Sequence, residues 1–104
     1  MTVKPLLVYL AHPLGREDRA INLKRARLWM LWAWEKHPNV YPVMNWALLA
    51  EMLDETPENR ERGLQGDAVL AAQCDEVWLV GGRVSEGMRR ESAGHRKVVD
   101  LTHL

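Results

Sequence analysis

Val77-Trp78-Leu79-Val80-Gly81-Gly82-Arg83-Val84-Ser85-Glu86-Gly87-Met88-Arg89-Arg90-Glu91 reads as a strand, a turn and the start of a helix. The first four residues are continuously apolar, the mark of a strand buried on both faces. Gly81 and Gly82 permit an unusual turn, and Ser85 is suited to cap the helix that follows. A strand, a glycine turn and a helix start make a corner where backbone N–H groups can meet an anionic or polar ligand. Glu91 stands four residues after Gly87, on the same helical face. Glycine at 87 leaves room for a ligand to approach the Glu91 carboxylate.

The chain on either side repeats the alternation. Pro5 to Ala11 is a continuous apolar strand, expected to be central, and His12-Pro13-Leu14-Gly15 ends it. Asp18 is placed to cap a helix from about Arg19 to Lys36, which His37-Pro38-Asn39 stops. Val40 to Val43 is a second strand, put at the sheet edge by its flanking prolines. Asn45 to Leu53 is a short helical or irregular excursion. Thr56-Pro57 begins another helix; Gly63 and Gly66 weaken it, so a second segment starting near them and running to Cys74 is expected. Asp75 to Val80 is the third strand, Ser85 to about His95 a helix, and Lys97 to Leu101 the fourth strand. Strands alternating with helices imply parallel pairing with right-handed crossovers and a ligand site at the strand carboxyl ends. The segments 9–15 and 81–85 are expected to meet there.

A chain of 104 residues makes one domain, spanning 1–104. A formal net charge of zero gives no global field to attract a nucleic-acid polymer or an anionic membrane. The lone cysteine, Cys74, excludes an internal disulfide and fits a reducing, cytoplasmic setting. No signal-peptide pattern or bilayer-length apolar run stands in the sequence. His37, His95 and His103 lack ligand spacing, so neither a metal nor a cofactor is expected.

The 19–36 helix carries more apolar surface than one contact needs. Leu23, Ala26, Trp29, Met30, Ala33 and Trp34 form a broad face expected to cover the sheet, and Ile21, Leu28 and Trp32 form a second stripe. The second stripe suggests a partner, most simply another copy of the chain in a homodimer, although the 45–56 excursion could cover it instead. Three polar side chains stand where packing wants apolar ones. Asn22 lies near the start of that helix and could meet a ligand or bond the 12–16 loop. Asp67 falls between Leu64, Ala71 and Cys74, where a buried carboxylate costs several kcal/mol unless paired; capping a restarted helix is its alternative. Glu91 is the third, with a pairing to Arg16 or Arg19 as its alternative.

Taken together, these residues resemble the nucleoside 2-deoxyribosyltransferase-like family, which includes deoxynucleoside 5′-monophosphate N-glycosidases. The resemblance spans nearly the whole chain. It rests on Tyr9-Leu10-Ala11 before a Pro/Gly/Arg loop, Asn22 and Ala26, Asp67, Cys74-Asp75, and Ser85-x-Gly87-x-x-x-Glu91. It implies a flavodoxin-like, Rossmann-like α/β sandwich with a small parallel sheet in the order 2-1-3-4. It casts Glu91 as the nucleophile at the anomeric carbon, Tyr9 as the group orienting that carboxylate, and Asp67 as a holder of the sugar or a proton donor to the base. Ser85, Gly87, Met88, Asn22, His12 and Arg16 would line the substrate, with Ser85 near the 5′ end. His12-Pro13 departs from the Gly-Pro or Gly-Ser of many relatives. Glu86 adds a negative charge where a phosphate would sit. The function implied is cleavage or transfer at the N-glycosidic bond of a nucleoside or nucleoside 5′-monophosphate. A non-catalytic nucleotide-binding module and an interaction protein built on the Trp-rich helix are the alternatives.

Overall fold

The computed structural model describes residues 4–15 and 18–104. Its elements in chain order are β1 (Leu6–Ala11), α1 (Arg19–Lys36), β2 (Val40–Val43), α2 (Asn45–Met52), α3 (Pro57–Gln73), β3 (Glu76–Leu79), α4 (Glu86–Ser92) and β4 (Val98–Asp100). The four strands form one all-parallel sheet in the order β2-β1-β3-β4. This is the flavodoxin-like, Rossmann-like arrangement that the sequence implies.

The strand sequences explain their places. Val8 to Ala11 of β1 and all of β3 are buried, as continuous apolar runs in the middle of a parallel sheet must be. β2 pairs only with β1, so Pro42 lies at an edge where its missing N–H costs no ladder bond. From β1 the chain moves one way to β2, and from β2 it moves the other way past β1 to β3. Right-handed crossovers therefore set α1 on one face and α3 with α4 on the other.

α1 has the expected bounds, but two expectations about it are corrected. Asp18 occupies the cap position without a side-chain bond, because its φ of −106° and ψ of 27° do not hold the extended geometry that aims a cap at the first amides. The faces are also divided differently. Leu23, Ala26 and Ala33 are buried, whereas Trp34 is 58% exposed. Trp34 meets the ring of Tyr41 on the edge strand, edge-on at 6.2 Å. Trp32, assigned to the outer stripe, instead packs on the core, its indole 6.2 Å from that of Trp78 and 5.2 Å from His37. A tryptophan is long enough to reach round the flank of a helix where a strand lies beneath, and β3 offers one only on the Trp32 side.

α3 runs unbroken through Gly63 and Gly66, against the expected restart. Thr56 caps it by accepting from the Asn59 N–H at 3.1 Å, and Pro57 sits in its first turn. A glycine costs a helix roughly 1 kcal/mol, less than α3 gains by packing on α4. That contact includes a two-bond pairing of the Arg90 guanidinium with Glu61 at 3.2 and 3.3 Å. α4 is shorter than expected and ends at Ser92. Gly94 has a φ of 71°, outside the helical region, and His95 then ties the turn down: one ring nitrogen donates to the Cys74 carbonyl at 2.9 Å and the other accepts from the Lys97 N–H at 2.9 Å. Cys74 is buried, and burial, with Asp75 nearby, raises its thiol pKa, so it stays protonated and inert. Among the described residues no helix is long and apolar enough to cross a membrane.

Candidate active site

The carboxyl ends of β1 and β3 come together because the Gly81 turn lies directly against the loop after β1. The Val80 N–H bonds the Ala11 carbonyl at 2.9 Å, and the His12 ring fills the space beside Gly81. Above this junction opens a cleft of about 780 Å³. Asp67, Ser85, Gly87, Met88 and Glu91 line it, with His12. Trp46, Leu49 and Leu53 of the α2 segment and Leu64 and Leu70 of α3 form an apolar wall. Arg19, Arg60, Arg62 and Arg83 also border it, with Glu55 and Glu86.

Glu91 is buried, and Tyr9, wholly inaccessible in the middle of β1, donates its hydroxyl hydrogen bond to Glu91 Oε2. The phenol thus holds the carboxylate from beneath while the carboxylate borders the cleft. Burial raises the Glu91 pKa from about 4.5 to about 7; the Tyr9 hydrogen bond opposes that rise and the charge of Asp67 adds to it. Burial, then the negative charges of Glu91 and Asp67, push the Tyr9 hydroxyl far above its ordinary value, so it keeps the proton that it donates to Glu91. Burial likewise raises Asp67 to about 6. The Asp67 carboxylate makes no hydrogen bond among the described residues, and Asp67 lines the cleft. Two carboxyl groups whose pKa values burial raises to about 6 and about 7, one of them fixed by a phenol, are suited to proton transfer and to attack on an electron-poor carbon.

The remaining expected residues fall into three groups. Ser85 caps α4 by accepting from the Met88 N–H at 3.3 Å, which leaves its hydroxyl proton free for a ligand. Gly87 borders the cleft, and a Cβ there would meet only Leu64 Cδ2 at 3.5 Å, so the glycine answers no internal clash. Met88 is wholly buried, its sulfur accepting from the Ser85 N–H at 3.3 Å; it builds the corner more than it presents a surface. Asn22 is not part of the cleft lining: its amide donates to the Leu14 carbonyl at 2.6 Å, which is the loop-bonding alternative. An amide at the first turn of α1 reaches back to the loop that feeds it, and that bond turns it away from the cleft. Arg16 lies outside the described residues. Arg19 pairs with Glu55 at 3.5 Å and donates to the Ala50 carbonyl at 2.7 Å, so Glu91 is left to Tyr9.

Sequence reasoning missed the α2 wall. Trp46 is anchored by its indole N–H to the Leu10 carbonyl at 2.8 Å, which brings the whole helix over the strand ends. The apolar run Trp46-Ala47-Leu48-Leu49 was the available signal, but nothing local to it says what it faces. Among the described residues no group of His, Cys, Asp and Glu is arranged to hold a metal ion.

Fold and cleft together define a small parallel α/β domain with a phenol-held carboxylate at its strand carboxyl ends. The model of one protein family matches residues 6–99, and the chain belongs to that family, a domain of unknown function, DUF7768. Neither a curated protein nor a solved structure matches it.

Proposed function

We propose that this domain breaks the N-glycosidic bond of a nucleoside or nucleoside 5′-monophosphate, with Glu91 as the nucleophile. The observation that carries the reading is the Tyr9–Glu91 pair, whose carboxylate residue lines the cleft together with Asp67. The resemblance to the nucleoside 2-deoxyribosyltransferase-like family supports it, since Tyr9, Asp67, Ser85, Gly87 and Glu91 gather at this one place, although Asn22 bonds the loop instead.

The chemistry follows from the groups. The Glu91 carboxylate attacks the anomeric carbon as the carbon–nitrogen bond breaks, and the base leaves with that electron pair. A carboxyl near pH 6, as at Asp67, is still partly protonated at neutrality and can deliver the proton the base needs. Water then displaces the sugar from Glu91, or a second base does so in transfer. Tyr9 holds the attacking carboxylate in one orientation throughout. Arg62 and Arg83 at the cleft could meet an anionic 5′ end and offset the nearby charge of Glu86.

Incubation with nucleosides and nucleoside monophosphates, alone and with added free bases, tests the reading by chromatography of the bases. Release of base from one class is expected; exchange with an added base would make the enzyme a transferase. Silence across the panel with the fold intact would sink the proposal, and ligand-induced thermal stabilisation in that case would favour a binding module.

The pH profile is a second test. A nucleophile must be ionised and a proton donor protonated, so base release should peak between about pH 6 and about pH 7, the folded values of Asp67 and Glu91, and not extend down to the ordinary 4.5. Removing the Tyr9 hydroxyl removes a bond that lowers the Glu91 pKa, so Tyr9→Phe should move the optimum to higher pH as well as slow the reaction. An optimum at pH 4 to 5, or one unmoved in Tyr9→Phe, contradicts the assignment.

A second copy of the chain is the proposed partner of α1. Ile21, Leu28, Leu31 and Trp34 are each more than half exposed there, at 53, 58, 51 and 58%. Light scattering should show a dimer that Trp34→Glu converts to monomer with unchanged helix content. Trp32→Glu is unsuited to this test because Trp32 packs on the core. A wild type that is monomeric at every concentration removes the dimer from the reading.

A further inference from the structure

His12 belongs to the cleft lining yet takes no part in the chemistry above, and its ring state can be read from its contacts. The residue is only 5% exposed, and Nδ1 lies 2.7 Å from the Pro13 carbonyl oxygen. A carbonyl can only accept, so Nδ1 carries the proton and donates. The other edge of the ring, Cδ2 and Nε2, lies against Gly81, where a Cβ would come within 2.5 and 2.6 Å of those two atoms. That edge is held in place on one side by the turn and on the other by the Pro13 bond.

Burial lowers the His12 pKa; the bond to Pro13 works against that effect, while the positive charges of Arg25 and Arg83 reinforce it. A second proton on the ring is therefore disfavoured at neutral pH, and Nε2 keeps a bare lone pair. Among the described residues nothing donates to Nε2, and His12 is one of the residues that line the cleft. A fixed, neutral acceptor in a binding cleft is matched by a hydrogen-bond donor on the ligand. It repels the oxygens of a phosphate and a carbonyl oxygen alike.

We infer that His12 is a specificity-determining residue whose Nε2 accepts a hydrogen bond from the exocyclic amino N–H of the substrate's base, so that the cleft favours an amino-bearing base over its oxo counterpart. The inference rests on the glycosidase reading for the kind of ligand. Tyr9 and Glu91 hold the sugar end, and His12 lies three residues further along the chain from Tyr9, past the end of β1, where the departing base can face it. An oxo group at the same place would set two lone pairs against each other and leave Nε2 unpaired, the situation in which polar sites discriminate most strongly.

Calorimetry on the whole chain with adenosine, inosine, cytidine and uridine 5′-monophosphates and their 2′-deoxy forms reads this directly. The wild type should bind the amino member of each pair at least about tenfold more tightly than the oxo member, a ratio worth ~1.4 kcal/mol. His12→Phe keeps a flat ring against Gly81 but offers no acceptor, and it should reduce the ratio to near one. ¹⁵N chemical shifts of the wild-type ring give a readout that needs no variant: protonated Nδ1 and bare Nε2 in the free protein, with the Nε2 signal moving on addition of the amino ligand. Equal binding of amino and oxo ligands, or a preference retained in His12→Phe, overturns the inference and leaves the glycosidase reading standing. A ring protonated at Nε2 in the free protein overturns it as well. No binding of any of these nucleotides overturns it too, and leaves the glycosidase reading to nucleosides alone.

Discussion

Glu91→Gln is expected to end base release and, above neutral pH, to make the domain more stable. The first effect follows from the role: an amide is no nucleophile, and losses of a thousandfold or more accompany removal of a group that bonds to the reacting atom. The second follows from the burial that makes the carboxylate useful. In the folded protein Glu91 titrates near 7 and not near 4.5, so the native state holds its proton more tightly than the unfolded chain does. The stabilisation this represents is complete below pH 4.5 and is lost as the pH rises through 7. At pH 8 the wild type carries a buried charge that glutamine lacks. Each tenfold in a proton equilibrium is worth about 1.4 kcal/mol, so the variant's advantage at pH 8 is on the order of 2–3 kcal/mol. That corresponds to a melting temperature higher by roughly 10 °C. Glutamine can still accept from the Tyr9 hydroxyl, so the pair need not be broken. Urea denaturation at pH 4.5 and pH 8 checks this: near equality at the lower pH and a gain at the higher. A variant that turns over normally removes Glu91 from the chemistry. One that is equally destabilised at both pH values shows the carboxylate to be a structural anchor.

Gly81→Ala should be the most damaging single methyl group that can be added to the glycine turn. Gly81 has a φ of 101°, where an L side chain is strained, and the new Cβ would stand 2.5 Å from His12 Cδ2 and 2.8 Å from Pro13 Cδ. Both neighbours are buried, so neither can swing away. Backbone strain of about 1–2 kcal/mol and overpacking of about 1–3 kcal/mol together take away a large part of the stability of a small domain. Gly82 provides the control. Its φ is 86°, but a Cβ there meets nothing within 4 Å, so Gly82→Ala should cost the backbone strain alone. Equal losses in the two variants, measured by urea denaturation, would show that the close approach of the turn to His12 contributes nothing.

The two variants also separate what each level of organisation supplies. Gly81-Gly82 announces a turn in the sequence, yet only the structure shows that one glycine answers a contact and its neighbour does not. The same holds for the site. Asp67 and Glu91 stood out because a charge on an apolar helical face is locally anomalous. Trp46, Leu49 and Leu53 form the opposite wall, and apolar residues on a short helix are anomalous nowhere, so they passed unmarked. Asn22 was as visible as Asp67, and its amide turned out to serve the loop.

By itself the sequence determined the order of elements, the parallel pairing and the end of the sheet that carries the cleft. Those depend on periods of a few residues, on caps such as Thr56 and on runs such as Val77 to Val80, all of which are written locally. Tertiary structure decided which side of α1 is covered, that α3 runs through its two glycines, and which hydrogen bond each polar side chain makes. Those outcomes turn on what lies across the fold: β3 under Trp32, α4 against α3, and Tyr9 reaching Glu91, 82 positions further along the sequence. Local preferences of about 1 kcal/mol yield to such contacts, because packing and the burial of charge each weigh several times as much.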